Sequence, residues 1–370
     1  MNTPNDYTPR TGLSIPIITV LDREGRVLAD EQRAAIHFAV QQGRGADIIF
    51  AAGTNGEWNR LDNPRRQRVF ELAVEECRRI TASGTPVEAW LGITGHTRAE
   101  TLENLERAIE LGGDALVVAP LSITDVSNVS EFVTRDMGAV FERHARALPV
   151  FLYENADIAA PGKPFHLDTR EVSELSRLEY VRGIKVTAER ELLDSFIAAA
   201  PSFNSRHPFP IYAGNAHLIF DLFAPMSGLL GRVHDPSHRH RELPLRGIVC
   251  GPANMSPREW KRAWEVAAAG ERALMERYRD VLQWYADICF FRRGAGEVSL
   301  SIACLKAAMA EMGVITSDAV ARGTPAFDPD ERREFGRRFA ALRERAAAIL
   351  EPEWISAPLE HRWRGAGQHG

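Results

Sequence analysis

Eight times between Ile15 and Ala269 a short apolar run is followed by an amphipathic one. That rhythm restricts the fold more than any other property of the chain. The apolar runs, at residues 15–20, 46–52, 87–93, 114–121, 149–153, 180–187, 208–213 and 246–251, are strand-length and rich in branched residues. The segments between them, such as 29–42, 65–82, 98–111 and 129–147, carry apolar residues at helical spacing. Strands that are nearly continuous in apolar character are covered on both faces, as in a parallel sheet flanked by helices. Repeated β-then-α units predict an α/β protein, a (β/α)8 TIM barrel. A doubly wound open sheet shares the alternation, but no GxGxxG follows the first strand. The barrel is expected over residues 12–269. From residue 271 onward only helical patterns are read, at 271–290, 299–312 and 329–350, so 270–350 forms a C-terminal helical region, with tails at 1–11 and 351–370. The segment 225–245 is long for an αβ connection and reads as an insertion.

The composition narrows the function. The chain of 370 residues has a formal charge of -5, with 45 basic and 50 acidic residues. The basic residues are dispersed, which removes the case for nucleic acid. Four cysteines, Cys77, Cys250, Cys289 and Cys304, are far apart and form no CxxC pair, as expected of reduced thiols. The polar start of the chain lacks the apolar region of a secretory leader, and no apolar run is long enough to cross a bilayer. A cytoplasmic location with no membrane partner is expected. Within the insertion, His234, His238 and His240 have spacings that suit a metal, but no cysteine or paired carboxylate completes a set. A solvated loop and no metal are expected there.

The most informative residue is Lys185, in Gly183-Ile184-Lys185-Val186-Thr187. Period-two alternation puts Gly183, Lys185 and Thr187 on one face of the strand. A lone lysine at a strand end more often snorkels into water. Inside a barrel, desolvation disfavours its ammonium and lowers its pKa, and the neutral amine is the form that attacks a carbonyl. Active sites of such barrels lie at the C-terminal ends of the strands. Reading those ends places the turn Gly53-Thr54-Asn55-Gly56-Glu57, Tyr153, Lys185 and Thr187 around one cavity. Tyr153 alone reads as a core tyrosine, and the glycine turn alone as a turn. Together they supply a nucleophilic amine, a phenol to move protons, and N–H groups and a hydroxyl to hold a carboxylate.

Gly53-Thr54-Asn55-Gly56-Glu57, Pro149-Val150-Phe151-Leu152-Tyr153, Gly183-Ile184-Lys185 and Ala253-Asn254 occur in an order that resembles the dihydrodipicolinate synthase/N-acetylneuraminate lyase family. The resemblance runs over residues 12–350. It implies a barrel with a C-terminal helical region, commonly tetrameric, and class I aldolase chemistry; a homo-oligomer, tetramer or dimer, is expected, and because a protonated imine is itself the electron sink no metal or other cofactor is expected. By the same resemblance Lys185 is the Schiff-base lysine and Tyr153 the proton-shuttling tyrosine. Thr54 and Asn55 stand where the family holds a pyruvoyl carboxylate and relays protons, and the backbone at Val249 is a further substrate contact. Lys185-Val186-Thr187 resembles the Lys-x-Thr of the neuraminate lyase branch, which makes Thr187 a substrate-binding candidate.

The chain also departs from the family. The synthases have a tyrosine pair where Leu121-Ser122 stands here. They carry an arginine for the second substrate's carboxylate at about the position of Ile158. A Schiff-base aldolase or lyase joining or cleaving a pyruvate-type 2-oxo acid and an aldehyde is expected, with an apolar acceptor end; Trp58 either adds to that wall or, as is commoner for a tryptophan at a helix start, serves as packing. A dehydratase or hydratase-aldolase on the same scaffold, and a catalytically silent 2-oxo-acid binder, stay open as alternatives.

Overall fold

Ile48–Ala51 (β2) and Ala115–Val118 (β4) are buried at every position, because each is covered once by the strands across the barrel and once by helices. In the computed structural model, which describes residues 7–223, 244–294 and 296–358, eight parallel strands close into a barrel in sequence order. The others are Gly12–Pro16 (β1), Glu88–Gly92 (β3), Val150–Asn155 (β5), Val181–Thr187 (β6), Ile211–Ala213 (β7) and Leu245–Val249 (β8). β1 pairs with both β2 and β8, which closes the ring. The chain folds as the (β/α)8 TIM barrel that the alternation predicts, followed by C-terminal helices. Among the described residues, no helix is long and apolar enough to cross a membrane.

The connecting helices are Ala29–Val40 (α1), Asn63–Ala82 (α2), Arg98–Leu111 (α3), Val129–Glu131 (α4), Gly138–Arg143 (α5), Thr169–Leu175 (α6), Arg190–Ala199 (α7), Ile219–Leu222 (α8) and Pro257–Ala269 (α9). A π-helical stretch at Phe132–Met137 joins α4 to α5. The cap of α2 is Asp62, whose carboxylate accepts from Arg65 N–H. Asn63 donates to Glu103 of α3 at 2.6 Å. The first strand also ends sooner than its apolar run. Beyond Pro16 the N–H groups of Ile18 and Val20 are taken by the side chains of Asn254 and Gln32 instead of a neighbouring strand.

Below the strands, residues 7–10 do not lie loose. Tyr7 enters the N-terminal end of the barrel, donates to Glu88 at 2.7 Å and meets Phe151 edge-on at 6.5 Å. Arg182, at a bulge in β6, donates to the Tyr7 carbonyl, and Tyr212 donates to the Arg10 carbonyl. Above this plug, Trp90 stacks on Phe151 with centroids 4.1 Å apart, and Tyr212 meets Trp90 edge-on at 4.9 Å. Gly183 makes room for that layer, since a Cβ there would lie 2.5 Å from the Phe151 ring. These rings form an apolar floor beneath Lys185.

The C-terminal region contains Arg272–Asp287 (α10), Ser301–Glu311 (α11) and Pro329–Ala347 (α12). It is not purely helical. Phe290–Arg293 (β9) and Gly296–Ser299 (β10) pair as an antiparallel hairpin between α10 and α11. Its residues alternate and turn through Gly294, with φ near +61°, whereas the helical reading of 271–290 ran over the first of them. Residues 225–243 of the insertion, with His234, His238 and His240, lie outside the described residues.

Candidate active site

Tyr153 and Lys185 are direct partners across β5 and β6, and Asn155 and Thr187 are the next inward-facing pair. Strand alternation therefore aims all four side chains into the barrel at the C-terminal ends of two neighbouring strands. Lys185 and Tyr153 are each 5% exposed. The Lys185 Nζ sits 3.4 Å from the centroid of the Tyr153 ring and 5.5 Å from that of Phe50. Removal from water lowers the Lys185 pKa, against an opposing pull from the charge and hydrogen bond of Tyr153. Burial alone would raise the Tyr153 pKa. The Lys185 charge, with the polar groups of Lys185, Thr54 and Thr187 beside the phenol, outweighs it, and the phenol is held below its usual value.

The turn after β2 reaches the same point. Thr54 Oγ1 and the Tyr153 hydroxyl are 3.3 Å apart. Ala52 and Glu57, which bracket the turn, both adopt positive φ, +50° and +58°. Each such non-glycine residue costs about 1–3 kcal/mol, and such strain collects at functional sites. The cost is met by the anchoring of Glu57, which is 0% exposed. Its carboxylate accepts from Lys306 of α11, from Ala321 N–H at 2.7 Å and from the Thr324 hydroxyl at 2.8 Å. Asn55 lies against Gly251, just beyond β8, where an added Cβ would come within 2.7 Å of the Asn55 amide.

Thr187 Oγ1 is shielded from solvent. It packs against Gly214, where a Cβ would fall 1.8 Å from that oxygen. Val249 faces the barrel interior with Phe50, Tyr153 and Tyr212. Thus Lys185, Tyr153 and Thr54 come into contact, and Thr187, Asn55 and Val249 border them from β6, the β2 turn and β8.

Where the chain departs from the family motifs, Leu121 and Ser122 lie in a single 3-10 turn, Pro120–Ser122, and Ile158 ends another, Ala156–Ile158. Ile158 packs on the interior cluster that contains Tyr153. The two loops are tied by Ala160 N–H donating to the Leu121 carbonyl at 2.8 Å. Trp58 does not join the interior cluster. It belongs to the outer core and lies 5.7 Å from the His96 ring. Among the described residues, no group of three or more His, Cys, Asp and Glu is placed to hold a metal ion.

The roles of two residues escaped sequence reasoning. Asn155 donates to the Tyr153 hydroxyl at 2.9 Å, and period two already placed it on the face of Tyr153. Asn254 is buried and joins the ends of β1 and β8 through Ile18 N–H and the Pro16 and Gly251 carbonyls.

The profile of the Dihydrodipicolinate synthetase family matches residues 9–221. The chain belongs to that family. A 4-hydroxy-tetrahydrodipicolinate synthase of Methylococcus capsulatus is 28% identical over 269 residues, 72% of this chain and 78% of the relative. An uncharacterized DapA-like lyase of Halobacterium salinarum is 24% identical, over 70% of this chain and 73% of its own. Among solved structures, YagE of Escherichia coli, a dihydrodipicolinic acid synthase family protein in complex with pyruvate, aligns with a TM-score of 0.70 at 20% identity. That alignment covers 90% of this chain and 98% of YagE. The dihydrodipicolinate synthase of Bacteroides thetaiotaomicron aligns with a TM-score of 0.71 at 20% identity, over 92% and 100% of the two chains. These structures share the fold, and the synthase and lyase relatives support a lyase in general.

Proposed function

We propose that this family member is a Schiff-base aldolase or lyase that acts on a pyruvate-type 2-oxo acid. The observation that carries the reading is the seating of Lys185: an enclosed amine with a lowered pKa, on the face of Tyr153, whose hydroxyl meets Thr54.

The neutral amine adds to the C2 carbonyl carbon, and the displaced π pair moves to oxygen, which takes a proton from Tyr153. Nitrogen gives up a proton, and the protonated carbinolamine hydroxyl leaves as water to form the C=N bond. The iminium draws electrons from C3, so loss of a C3 proton gives an enamine. That carbon attacks the aldehyde carbon, the aldehyde oxygen takes a proton, and water releases the product from Lys185. Run backwards, the same steps cleave the C–C bond. Thr54 and Asn55 hold the carboxylate through the turn after β2, Thr54 relays protons to Tyr153, and Thr187 and the Val249 backbone contact the substrate.

Deuterium exchange at C3 of pyruvate in heavy water, with no aldehyde present, tests this by NMR. Enamine formation predicts exchange catalysed by the protein and lost in Lys185→Ala. A wild-type protein that binds pyruvate without exchange would be a silent binder. Product analysis over an aldehyde panel then separates aldol chemistry from dehydration.

A further inference from the structure

The side-chain amide of Asn155 is fixed from two sides. Its Oδ1 accepts from Asp157 N–H at 3.1 Å, capping the 3-10 turn Ala156–Ile158. Its Nδ2 therefore faces the Tyr153 hydroxyl, at 2.9 Å. An amide nitrogen only donates, so the phenol oxygen must accept, and the phenol proton must point elsewhere. Thr54 Oγ1, 3.3 Å from the phenol oxygen, stands on hydrogen-bonding terms with it.

From this geometry we infer that Asn155 is a positioning residue: it turns the Tyr153 proton away from β5 toward Thr54 and the substrate, and stabilises the phenolate left when that proton moves. The inference rests on the proposed role of Tyr153 as proton carrier and adds the group that sets its direction. The backbone supports it, since Asn155 pairs with Thr187 one inward position above the Tyr153–Lys185 pair. Among the described residues, Lys185 on β6 is the charged group facing the phenol, and Thr54, Thr187 and Asn155 are neutral. Removing one neutral donor should thus be readable against a single charge.

The chain offers a direct readout. Of its six tyrosines, Tyr153 is held below the usual value, while burial leads the causes that push Tyr7, Tyr180, Tyr212, Tyr278 and Tyr285 above it. The first tyrosinate to appear in an ultraviolet difference titration is therefore Tyr153, and it must vanish in Tyr153→Phe. Asn155→Leu removes the donor. Asn155→Asp keeps the acceptor for Asp157 N–H, so the turn stays capped, but replaces the donor with a carboxylate.

Both variants should move the first titration upward, by about one pH unit, with Asn155→Asp moving it further. Pyruvate exchange should slow with little change in KM. A carboxylate held at this place must repel the phenolate, so an Asn155→Asp variant that titrates like wild type would put the side chain away from the phenol and overturn the inference. An unshifted titration in folded Asn155→Leu overturns it as well. A shifted titration in a protein whose wild type exchanges no deuterium upholds the geometry while the proposed catalysis fails.

Discussion

Glu57 and Lys306 form an ion pair with both side chains 0% exposed, 249 residues apart in sequence. It ties the turn that carries Thr54 and Asn55 to α11. Burial lowers the Lys306 pKa, and the Glu57 charge opposes that shift. Removing one member leaves the other charge enclosed without its partner, which costs about 3–5 kcal/mol. Lys306→Met should lose stability on that scale in denaturant titration and raise KM for pyruvate. Equal stability with an unchanged KM would mean the turn holds itself.

Gly214 gives way to Thr187. An alanine there puts its Cβ 1.8 Å from Thr187 Oγ1 and 2.8 Å from Thr187 Cβ, so β6 or the loop after β7 must shift. Overpacking of this kind costs about 1–3 kcal/mol. Gly214→Ala should melt earlier than wild type and exchange pyruvate protons more slowly. A variant equal to wild type in both would show that Thr187 has room to move.

Tyr153→Phe should move Lys185 in a definite direction. Desolvation lowers the Lys185 pKa, and Tyr153 raises it through charge and a hydrogen bond. Phenylalanine keeps the apolar ring and removes the raising contribution, so the amine should titrate at lower pH in the variant. Competitive acylation of Lys185 at a series of pH values, read by peptide mass spectrometry, measures this. A midpoint moved to higher pH would contradict the assigned balance.

Ile158 is expected to keep the proposed acceptor end apolar. It packs on the apolar interior cluster that contains Tyr153, where a carboxylate that found no partner would lose water at a cost. Wild type should therefore prefer neutral aldehydes to matched carboxylate-bearing ones in kcat/KM. Ile158→Arg should reverse or narrow that ratio. Arg232, Arg239 and Arg241 lie outside the described residues, and a wild-type preference for the carboxylate would point to them.

The barrel was legible because its signal is repeated. Eight apolar runs with helical spacers leave few alternatives, and period two on β6 was enough to put Gly183, Lys185 and Thr187 on one face. Strand ends were less legible. The apolar run continues through Ile17, Ile18 and Val20, but the side chains of Asn254 and Gln32, outside the run, take the N–H groups of Ile18 and Val20. The hairpin Phe290–Arg293 with Gly296–Ser299 was missed because its two four-residue strands lie almost wholly in the short gap between the helical patterns at 271–290 and 299–312. The role of Glu57 was hidden for another reason: a buried carboxylate is only intelligible with Lys306, and nothing local links the two. Asn155 was on the correct face but carried no signal of its own until its amide was seen between Asp157 N–H and Tyr153.

Lys185 is proposed as the imine-forming amine. Incubation with pyruvate and borohydride, followed by peptide mass spectrometry, tests it most directly. Wild type should gain a single reduced pyruvate adduct, located on Lys185, and Lys185→Ala should gain none while keeping its fold. An adduct on another lysine, or undiminished trapping by the folded variant, would contradict the assignment.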